Sequence, residues 1–169
     1  MTVDSFKFLP RIISVLYEST DRQPQLPIPW TPLPHPLKHC KFGLITSGGL
    51  YHQGLEPPFD LERERQEPGW GDPTYRTIPV DISQADLGVS HLHINPQAVK
   101  QDINVLLPVS RFSELAANAE IGGLASHVYS FMGYQGYPPD TTAWQTVYGP
   151  QVAEKLKAEG VDCVLLTPT

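Results

Sequence analysis

The chain alternates between short apolar runs and segments with helical apolar spacing, which predicts an α/β fold. Residues 42–46 are a continuous apolar run that ends in Ser47-Gly48-Gly49, a pattern typical of a strand buried on both faces that enters a tight turn. Residues 103–107 and 161–166 are similar runs, and the first of them stops at Pro108. We therefore predict three buried strands in a mostly parallel sheet.

Two helices are predicted between these strands. The first is capped by Ser110 and ends at Gly122-Gly123, and the second has Pro150 in its first turn and ends at Gly160. The order strand, helix, helix, strand predicts a three-layer α/β fold with helices on both faces of the sheet. The apolar faces of the helices comprise Phe112, Leu115, Ala116 and Ala119 in the first, and Val152, Ala153 and Leu156 in the second.

The first forty residues differ from this pattern. Residues 1–20 contain apolar positions with helical spacing and predict an N-terminal helix. Residues 21–40 hold six prolines between positions 23 and 36, which keep the chain extended and predict a Pro-rich N-terminal arm. Its interleaved apolar side chains indicate that the arm packs along the domain or along a neighbouring subunit.

Residues 53–74 are rich in proline, glycine and charged side chains. A connection of more than 20 residues without its own pattern predicts either a functional lid or a disordered flap. The chain is therefore interpreted as a single domain over residues 1–169, with a core at residues 41–169 and a flap at residues 53–74.

Composition and charge narrow the classes of partner. The 169 residues include 12 Lys plus Arg and 18 Asp plus Glu, for a net charge of -6. An acidic chain is poorly suited to bind phosphates or anionic lipids, so we expect no nucleic acid and no membrane as a partner. Residues 1–7 lack the pattern of a signal peptide, so we expect a cytoplasmic protein.

The two cysteines are predicted to be free thiols. Cys40 and Cys163 lie far apart in sequence and form no CxxC motif, which favours a reducing compartment and gives no sign of structural zinc. Cys163 lies inside a predicted buried strand, so we interpret it as an inert core thiol rather than a nucleophile.

His91 and His93 are the first candidates for chemistry. If residues 89–94 are extended, both imidazoles lie on one face about 7 Å apart, where they could share a metal or bracket a substrate. A metal-dependent site needs a third ligand, for which His52, His127 and Asp102 are available. The alternatives are a metal-free polar site and a hydrogen-bonded pair on a strand edge.

Two further features are candidate anion sites. Arg76 could bind a carboxylate with two hydrogen bonds, although an ion pair with Asp72, Asp81 or a glutamate of the flap is the alternative. The turn Ser47-Gly48-Gly49 could hold an anion with its backbone N–H groups, although a single glycine pair is weak support.

Five short segments form an ordered set over most of the chain: residues 29–33 (PWTPL), 71–79 (GDPTYRTIP), 91–93 (HLH) with 100–104 (KQDIN), 130–134 (SFMGY) and 160–168 (GVDCVLLTP). Taken together, they resemble the selenoprotein B subunits of the glycine, sarcosine, betaine and D-proline reductases. The similarity is greater to the D-proline reductase branch. The resemblance implies reductive cleavage of a C–N bond alpha to a carboxylate in an amino-acid-type substrate.

The resemblance also implies where the nucleophile lies. Family members carry a selenocysteine, or a cysteine in variants, directly after the motif that reads 165–169 here. We therefore expect a UGA codon after Thr169 that was taken as a stop, so that the chain is truncated and lacks its reactive selenol or thiol. No cofactor is expected in this chain, and a pyruvoyl group on a partner subunit would hold the substrate amine.

The same resemblance assigns the site residues. A histidine would donate a proton to the departing amine, Asp102 would orient that histidine, Arg76 would bind the carboxylate, and no metal is expected. The candidate catalytic residues are His91, His93 and Asp102, and the candidate substrate-binding residues are Arg76, Asn104, Ser47, Gly48, Ser130, Thr167 and Thr169.

Two other functions compete with a reductase subunit in a homo- or hetero-oligomer. One is a non-catalytic assembly or binding subunit that keeps the scaffold and uses the proline arm for oligomerisation. The other is a metal-dependent hydrolase that uses His91, His93 and an acidic ligand.

Overall fold

The computed structural model describes residues 30–169 together with Arg11, Val15 and Pro27. Residues 33–169 form one compact unit, and the residues before them belong to a second unit. The predicted helix over residues 1–20 and most of the predicted arm lie outside the described residues. The last part of the arm is irregular and ends in the 3₁₀ turn Leu37–His39.

The described residues contain seven strands and four α-helices, with 3₁₀ turns at Gln84–Asp86 and Ile103–Val105 and a π-helical turn at Trp144–Tyr148. In chain order the elements are β1 (Lys41–Thr46), β2 (Leu50–His52), α1 (Leu61–Gln66), β3 (Tyr75–Pro79), β4 (Leu87–Val89), α2 (Pro96–Gln101), α3 (Val109–Ala117), β5 (Gly123–Leu124), β6 (His127–Phe131), α4 (Gly149–Ala158) and β7 (Cys163–Thr167). None of the helices among these residues is both long and apolar enough to cross a bilayer.

Strand β1 lies at the centre of the main sheet. It pairs in parallel with β7 from Phe42 to Thr46, and on its other side with β5 near its start and with β6 near its end. Strand β3 pairs with β6 in the antiparallel direction and forms one edge. Because β1 has partners on both sides, its apolar run is buried as predicted.

Side chains alternate between the two faces of this sheet and form two cores. Leu44, Ile78 and Val128 belong to one cluster, which also contains Val99 of α2 and Val109 of α3. Tyr129 and Phe131 belong to the other cluster, with Val152 and Leu156 of α4. Helices therefore cover both faces of a mostly parallel sheet, and the predicted α/β fold is confirmed.

Both predicted helices are present, but the first is shorter than predicted and is capped differently. Helix α3 ends at Ala117 rather than at Gly122-Gly123, and Ala119, with a φ of 58°, lies outside it. Helix α3 begins at Val109 and follows Pro108, so Ser110 lies inside its first turn and does not cap it. The amide of Ser110 instead donates to the side chain of Asn104. Helix α4 carries its proline in the first turn, and Gly160 follows its end with a φ of 71°.

The prediction of a buried strand at residues 103–107 is wrong. This segment begins with the 3₁₀ turn Ile103–Val105, in which the side chain of Asp102 accepts a hydrogen bond from the amide of Asn104. Ile103 and Leu107 are nevertheless buried in the core. A short apolar run identifies burial but does not separate a strand from a tight turn.

Strand β7 is confirmed as a strand that follows α4, but it is not buried on both faces. Among the described residues it pairs only with β1, so it forms the second edge of the main sheet. Every other side chain points outwards, and Val164 and Leu166 are 44% and 64% exposed.

A smaller sheet connects the core to the candidate histidines. Strands β2 and β4 pair in the antiparallel direction, with Leu50 opposite Val89. The carbonyl of Gly49 accepts a hydrogen bond of 2.8 Å from the amide of Ser90. The turn after β1 is thereby joined to the residue that directly precedes His91.

Residues 53–74 fold against the core rather than extend from it. They contain α1, whose first turn is capped by the carboxylate of Asp60. Phe59, Glu64 and Asp72 are buried. Arg76 of β3 donates to the carbonyl oxygens of Pro57 and Pro58, which ties this segment to the main sheet.

We expect Gly49→Ala to destabilise the fold much more than Gly54→Ala. Both glycines have positive φ, 64° and 83°, which costs an alanine about 1 kcal/mol. A Cβ at position 49 would also lie 2.2 Å from the carbonyl oxygen of Ser90, whereas position 54 has nothing within 4 Å. Urea denaturation should show losses of about 3 and about 1 kcal/mol, and equal losses would contradict the assigned contact.

Candidate functional site

A cavity lies at the carboxyl ends of the parallel strands, where α/β proteins commonly bind ligands. Its volume is about 480 Å³. The strands β1, β6 and β7 all end here, and the π-helical turn before α4 closes one side. The lining is mostly apolar and includes Ile45, Ser47, Phe131, Gly133, Trp144, Leu166 and Thr169. An apolar cavity with a few polar groups is the usual form of a small-molecule site.

The end of β7 is joined to the end of β1 by hydrogen bonds. The amide of Ser47 donates to the carbonyl of Thr167 at 3.2 Å. The amide of Thr169 donates to Ser47 Oγ at 2.9 Å, and the two hydroxyls are 3.0 Å apart. These contacts bring Ser47, Thr167 and Thr169, three of the predicted site residues, to the rim of the cavity.

His91 lies in the irregular segment after β4 rather than in a strand. Its Nδ1 accepts a hydrogen bond of 3.1 Å from the amide of His93, so in the neutral ring the proton is on Nε2. Burial, together with the charge of His93, lowers the pKa of His91 from its ordinary value of 6.5. His91 is therefore a neutral donor whose Nε2–H is buried and has no partner among the described residues.

Gly133 lines the cavity and lies next to the imidazole of His91. A Cβ on this glycine would lie 3.0 Å from the carbonyl oxygen of Ser47, 3.1 Å from that of Thr169 and 3.2 Å from Nε2 of His91. The ends of β1 and β7 and the imidazole of His91 therefore converge on one side of residue 133. This convergence was not predicted, although residues 130–134 are one of the recognised segments.

His93 is held by different contacts. Its ring stacks on Tyr134 with the ring centroids 4.4 Å apart. Its Nε2 lies 2.9 Å from Oε1 of Glu64, whose side chain is only 2% exposed. Burial raises the pKa of Glu64, and the hydrogen bond and charge of His93 lower it. The imidazole thus bridges a buried carboxylate and an aromatic ring.

Glu64 is the functional candidate that the sequence did not indicate. It lies among the charged residues 62–67, where nothing distinguishes it from neighbours that face solvent. Its second oxygen, Oε2, is buried and has no partner among the described residues. A carboxylate in this position is costly without a nearby proton donor, and His93 supplies one.

The predicted strand through His91 and His93 is wrong, because residues 92–94 form a turn and a bend. The two rings meet edge to face, with centroids 5.9 Å apart, so they do not lie side by side on one strand face. Within the part of the chain that the structure describes, no third histidine, cysteine or carboxylate joins them as a metal site. The arrangement gives no support to the metal-dependent hydrolase.

Asp102 and Asn104 stabilise local structure. The carboxylate of Asp102 accepts from the amide and from the side chain of Asn104, and these bonds lower the pKa of Asp102. Asn104 in turn accepts from the amide of Ser110 at the start of α3. Neither side chain hydrogen-bonds a histidine, so the prediction that Asp102 orients one receives no support from these contacts.

Arg76 is committed to contacts within the described residues. Four of its N–H groups donate to the carbonyl oxygens of Pro57, Pro58 and Tyr75 and to the hydroxyl of Thr74, and its guanidinium lies 3.6 Å from the carboxylate of Asp72. Its guanidinium also stacks on the ring of Phe59, 4.0 Å from the centroid. The alternative interpretation, an ion pair with Asp72 at 3.6 Å, is the one that the structure contains.

The turn after β1 does not present free amides to an anion. The N–H of Ser47 donates to Thr167, that of Gly48 to Oγ1 of Thr46 and that of Gly49 to the carbonyl of Phe131. The hydroxyl of Ser130 is fully buried and accepts from the amide of Leu50. Gly48 and Ser130 therefore support the scaffold, and Ser47 contributes its hydroxyl rather than its N–H.

The two cysteines are free, as predicted, and they lie beside each other. Cys40 is buried and donates to the carbonyl of His35. Burial and a contact with Cys40 raise the pKa of Cys163. A thiol with a raised pKa is a poor nucleophile, which agrees with a packing role.

Comparison with known proteins gives a consistent result. The family model for glycine/sarcosine/betaine reductase selenoprotein B matches residues 24–169. The chain is 37% identical over 138 residues to the D-proline reductase subunit gamma of Acetoanaerobium sticklandii, which covers 82% of this chain and 52% of that protein. It is 28% identical over 142 residues to the glycine reductase complex component B subunit gamma of Carboxydothermus hydrogenoformans, which covers 84% of this chain and 31% of that protein.

The chain therefore spans about half the length of the first relative and about a third of the second. Identity is higher to the D-proline reductase subunit, in agreement with the branch that the five segments predicted. No solved structure matches the chain.

We expect the buried, neutral state of His91 to make stability depend on pH. The pKa of His91 is lower in the folded chain than its ordinary value of 6.5, so the unfolded chain takes up a proton first as pH falls. The free energy of unfolding should decrease below about pH 6.5 and level off below the folded pKa. Urea denaturation over a pH series measures this.

His91→Gln should reduce the dependence of the free energy of unfolding on pH in this range. His39→Gln, at an exposed position, should leave that dependence unchanged. An unchanged slope in His91→Gln would show that His91 is not buried as a neutral ring.

Proposed function

The chain belongs to the glycine/sarcosine/betaine reductase selenoprotein B family, and on this basis we propose that it is the part of an amino-acid reductase that forms one wall of the reaction site. The reaction we propose is reductive cleavage of a C–N bond alpha to a carboxylate. The observation that carries this proposal is the convergence of Ser47, Thr169 and Nε2 of His91 on Gly133, a residue that lines the apolar cavity.

We propose that the residue following Thr169 in the full-length protein carries the selenol or thiol. As an anion it attacks the substrate carbon, and the electron pair of the broken C–N bond leaves with the amine, which takes up a proton. One thiol of an external dithiol then attacks the selenium or sulfur, so that its bond to carbon breaks and the carbon keeps the electron pair and is protonated. The second thiol releases the selenol or thiol, and the dithiol becomes a disulfide. The position is favourable because the carbonyl of Thr169 faces the same point as Nε2 of His91.

The described residues contribute three functions to this proposal. The neutral His91 donates a hydrogen bond from Nε2 to an anion beside Gly133. His93, whose side chain is 49% exposed, donates the proton that the departing amine requires. The apolar side chains of Ile45, Phe131 and Leu166 contact the hydrocarbon part of the substrate.

The substrate carboxylate needs a partner other than Arg76. The hydroxyls of Ser47 and Thr169 lie at the rim and are the groups we propose for this contact. The curated relatives are named as subunits of reductases, and a pyruvoyl-bearing partner subunit would hold the substrate amine. The apolar lining favours an amino acid with a hydrocarbon ring or chain over glycine.

We expect the full-length protein to contain selenocysteine or cysteine at the position after Thr169. Mass spectrometry of the natural protein and sequencing of the codons after Thr169 identify this residue. Iodoacetamide should label it at a pH where ordinary thiols react slowly, and labelling should abolish dithiol-dependent cleavage of the substrate.

The matched control is Cys163→Ser. Because burial raises the pKa of Cys163, its replacement should leave both the rapid labelling and the activity unchanged. Any other amino acid at the position after Thr169 would exclude the proposed nucleophile.

We expect Gly133→Ala to reduce activity by about 100-fold, because the added methyl group pushes apart Ser47, Thr169 and His91. The folded state should lose about 1–2 kcal/mol, since the contacts are 3.0–3.2 Å rather than severe overlaps. Gly69→Ala is the control, because its Cβ would meet nothing within 4 Å. Equal activities in the two variants would show that the convergence at residue 133 has no part in the reaction.

A further inference from the structure

Glu64 is a buried carboxylate whose only ionic partner among the described residues is a histidine. The other buried carboxylate in this region, Asp72, pairs with Arg76 and accepts from the amide and hydroxyl of Thr74. Glu64 has no such set of partners, since Oε1 meets Nε2 of His93 and Oε2 meets no donor. Its placement therefore needs an explanation other than the stability of α1.

We propose that Glu64 is a positioning residue that fixes which nitrogen of His93 faces the reaction site. By holding Nε2, it leaves Nδ1 as the nitrogen that donates a proton. This inference rests on the proposed function for the identity of the acceptor, but the orientation of His93 can be tested without activity.

The protonation states of the pair support this role. In one state Glu64 is an anion and His93 is doubly protonated; in the other the proton lies on Oε1 and the neutral ring accepts it at Nε2. Nδ1 carries a proton in both states. When Nδ1 gives its proton to a departing amine, the N–H at Nε2 remains bonded to the carboxylate, so the proton and the charge balance.

The fold fixes Glu64 where this arrangement requires it. Helix α1 is short, but the residues around it are tied to two other parts of the chain. Arg76 holds the carbonyls of Pro57 and Pro58, and the hydroxyl of Tyr134 donates to the carbonyl of Pro68. Tyr134 also stacks on His93, so one residue contacts both the segment that carries Glu64 and the imidazole that Glu64 binds.

The electrostatic surroundings favour a shared proton. Burial raises the pKa of Glu64, and the negative charge of Asp72 acts in the same direction. The hydrogen bond and charge of His93 and the charge of Arg65 act in the opposite direction. Burial, and to a smaller extent the proximity of His93, lower the pKa of His91, which favours the neutral form of His91.

We expect Glu64→Gln in the full-length protein to change the protonation pattern of His93. In ¹⁵N spectra of histidine-labelled protein recorded over a pH series, His93 of the wild type should lose its proton from Nδ1 and keep the proton on Nε2 that Glu64 binds. The variant should show the tautomer mixture of an unpaired imidazole. Glu62→Gln is the control on the same helix, because its side chain is 71% exposed and should leave the spectrum unchanged.

Activity provides a second, separate readout. Glu64→Gln should lower kcat by about 10-fold or more, with KM within about 2-fold, and should shift the pH–rate profile. Glu64→Leu replaces the buried carboxylate with an apolar side chain, so this variant should remain folded. It should show the same tautomer mixture, which separates orientation of His93 from stability.

The outcomes distinguish the two proposals. An unchanged Nδ1 signal in both Glu64 variants would overturn the positioning role, whatever their activity. The positioning role would also be overturned if the Glu64 variants showed the expected spectral change but kept the pH–rate profile of the wild type. A wild-type protein with the expected spectrum but no reductive cleavage would instead refute the proposed function and leave the Glu64–His93 pairing intact.

Discussion

The parallel pairing of β1 with β7 is the interaction on which the site depends. Because the two strands run in the same direction from Phe42 and Cys163, their carboxyl ends leave the sheet at the same edge. This places Ser47 and Thr169, which are 122 positions apart in sequence, within hydrogen-bond distance. The cavity exists because α4 and the preceding π-helical turn cover the sheet on one side of that edge.

Some polar groups around the site have all their hydrogen-bond partners within the protein, and others do not. Arg76 makes four hydrogen bonds and an ion pair inside the protein, and the amides of residues 47–49 each have an internal acceptor. These groups maintain the scaffold. Within the part of the chain that the structure describes, Nε2 of His91, Oε2 of Glu64 and Nε1 of Trp144 are buried without partners, which is a free-energy cost that a stable scaffold alone does not require. Buried polar atoms without hydrogen-bond partners therefore identify the residues that are the best candidates for a chemical role.

The contacts of three predicted site residues show why sequence patterns alone do not locate catalytic residues. His91, Asp102 and Arg76 are all residue types suited to acid–base or anion chemistry, and the sequence treats them alike. In the folded chain Asp102 bonds to Asn104, two residues away, and Arg76 bonds to its own neighbourhood. His91 alone of the three lies beside Gly133, a residue that lines the cavity, because the Gly49–Ser90 hydrogen bond brings the end of β4 to the turn after β1.

The sequence by itself determined the central strand β1, the helices α3 and α4 and the family, because apolar periodicity and short motifs are local properties. It did not separate a strand from a 3₁₀ turn at residues 103–107, since an apolar run does not show which side chains the backbone turns inwards: Ile103 and Leu107 are buried, whereas Val105 is 57% exposed. Only the tertiary structure decided that β7 is an edge strand and that Glu64 meets His93 across 29 positions of sequence. Such contacts follow from how separate elements pack, and the residues at positions 62–67 carry no local mark of which one turns inwards.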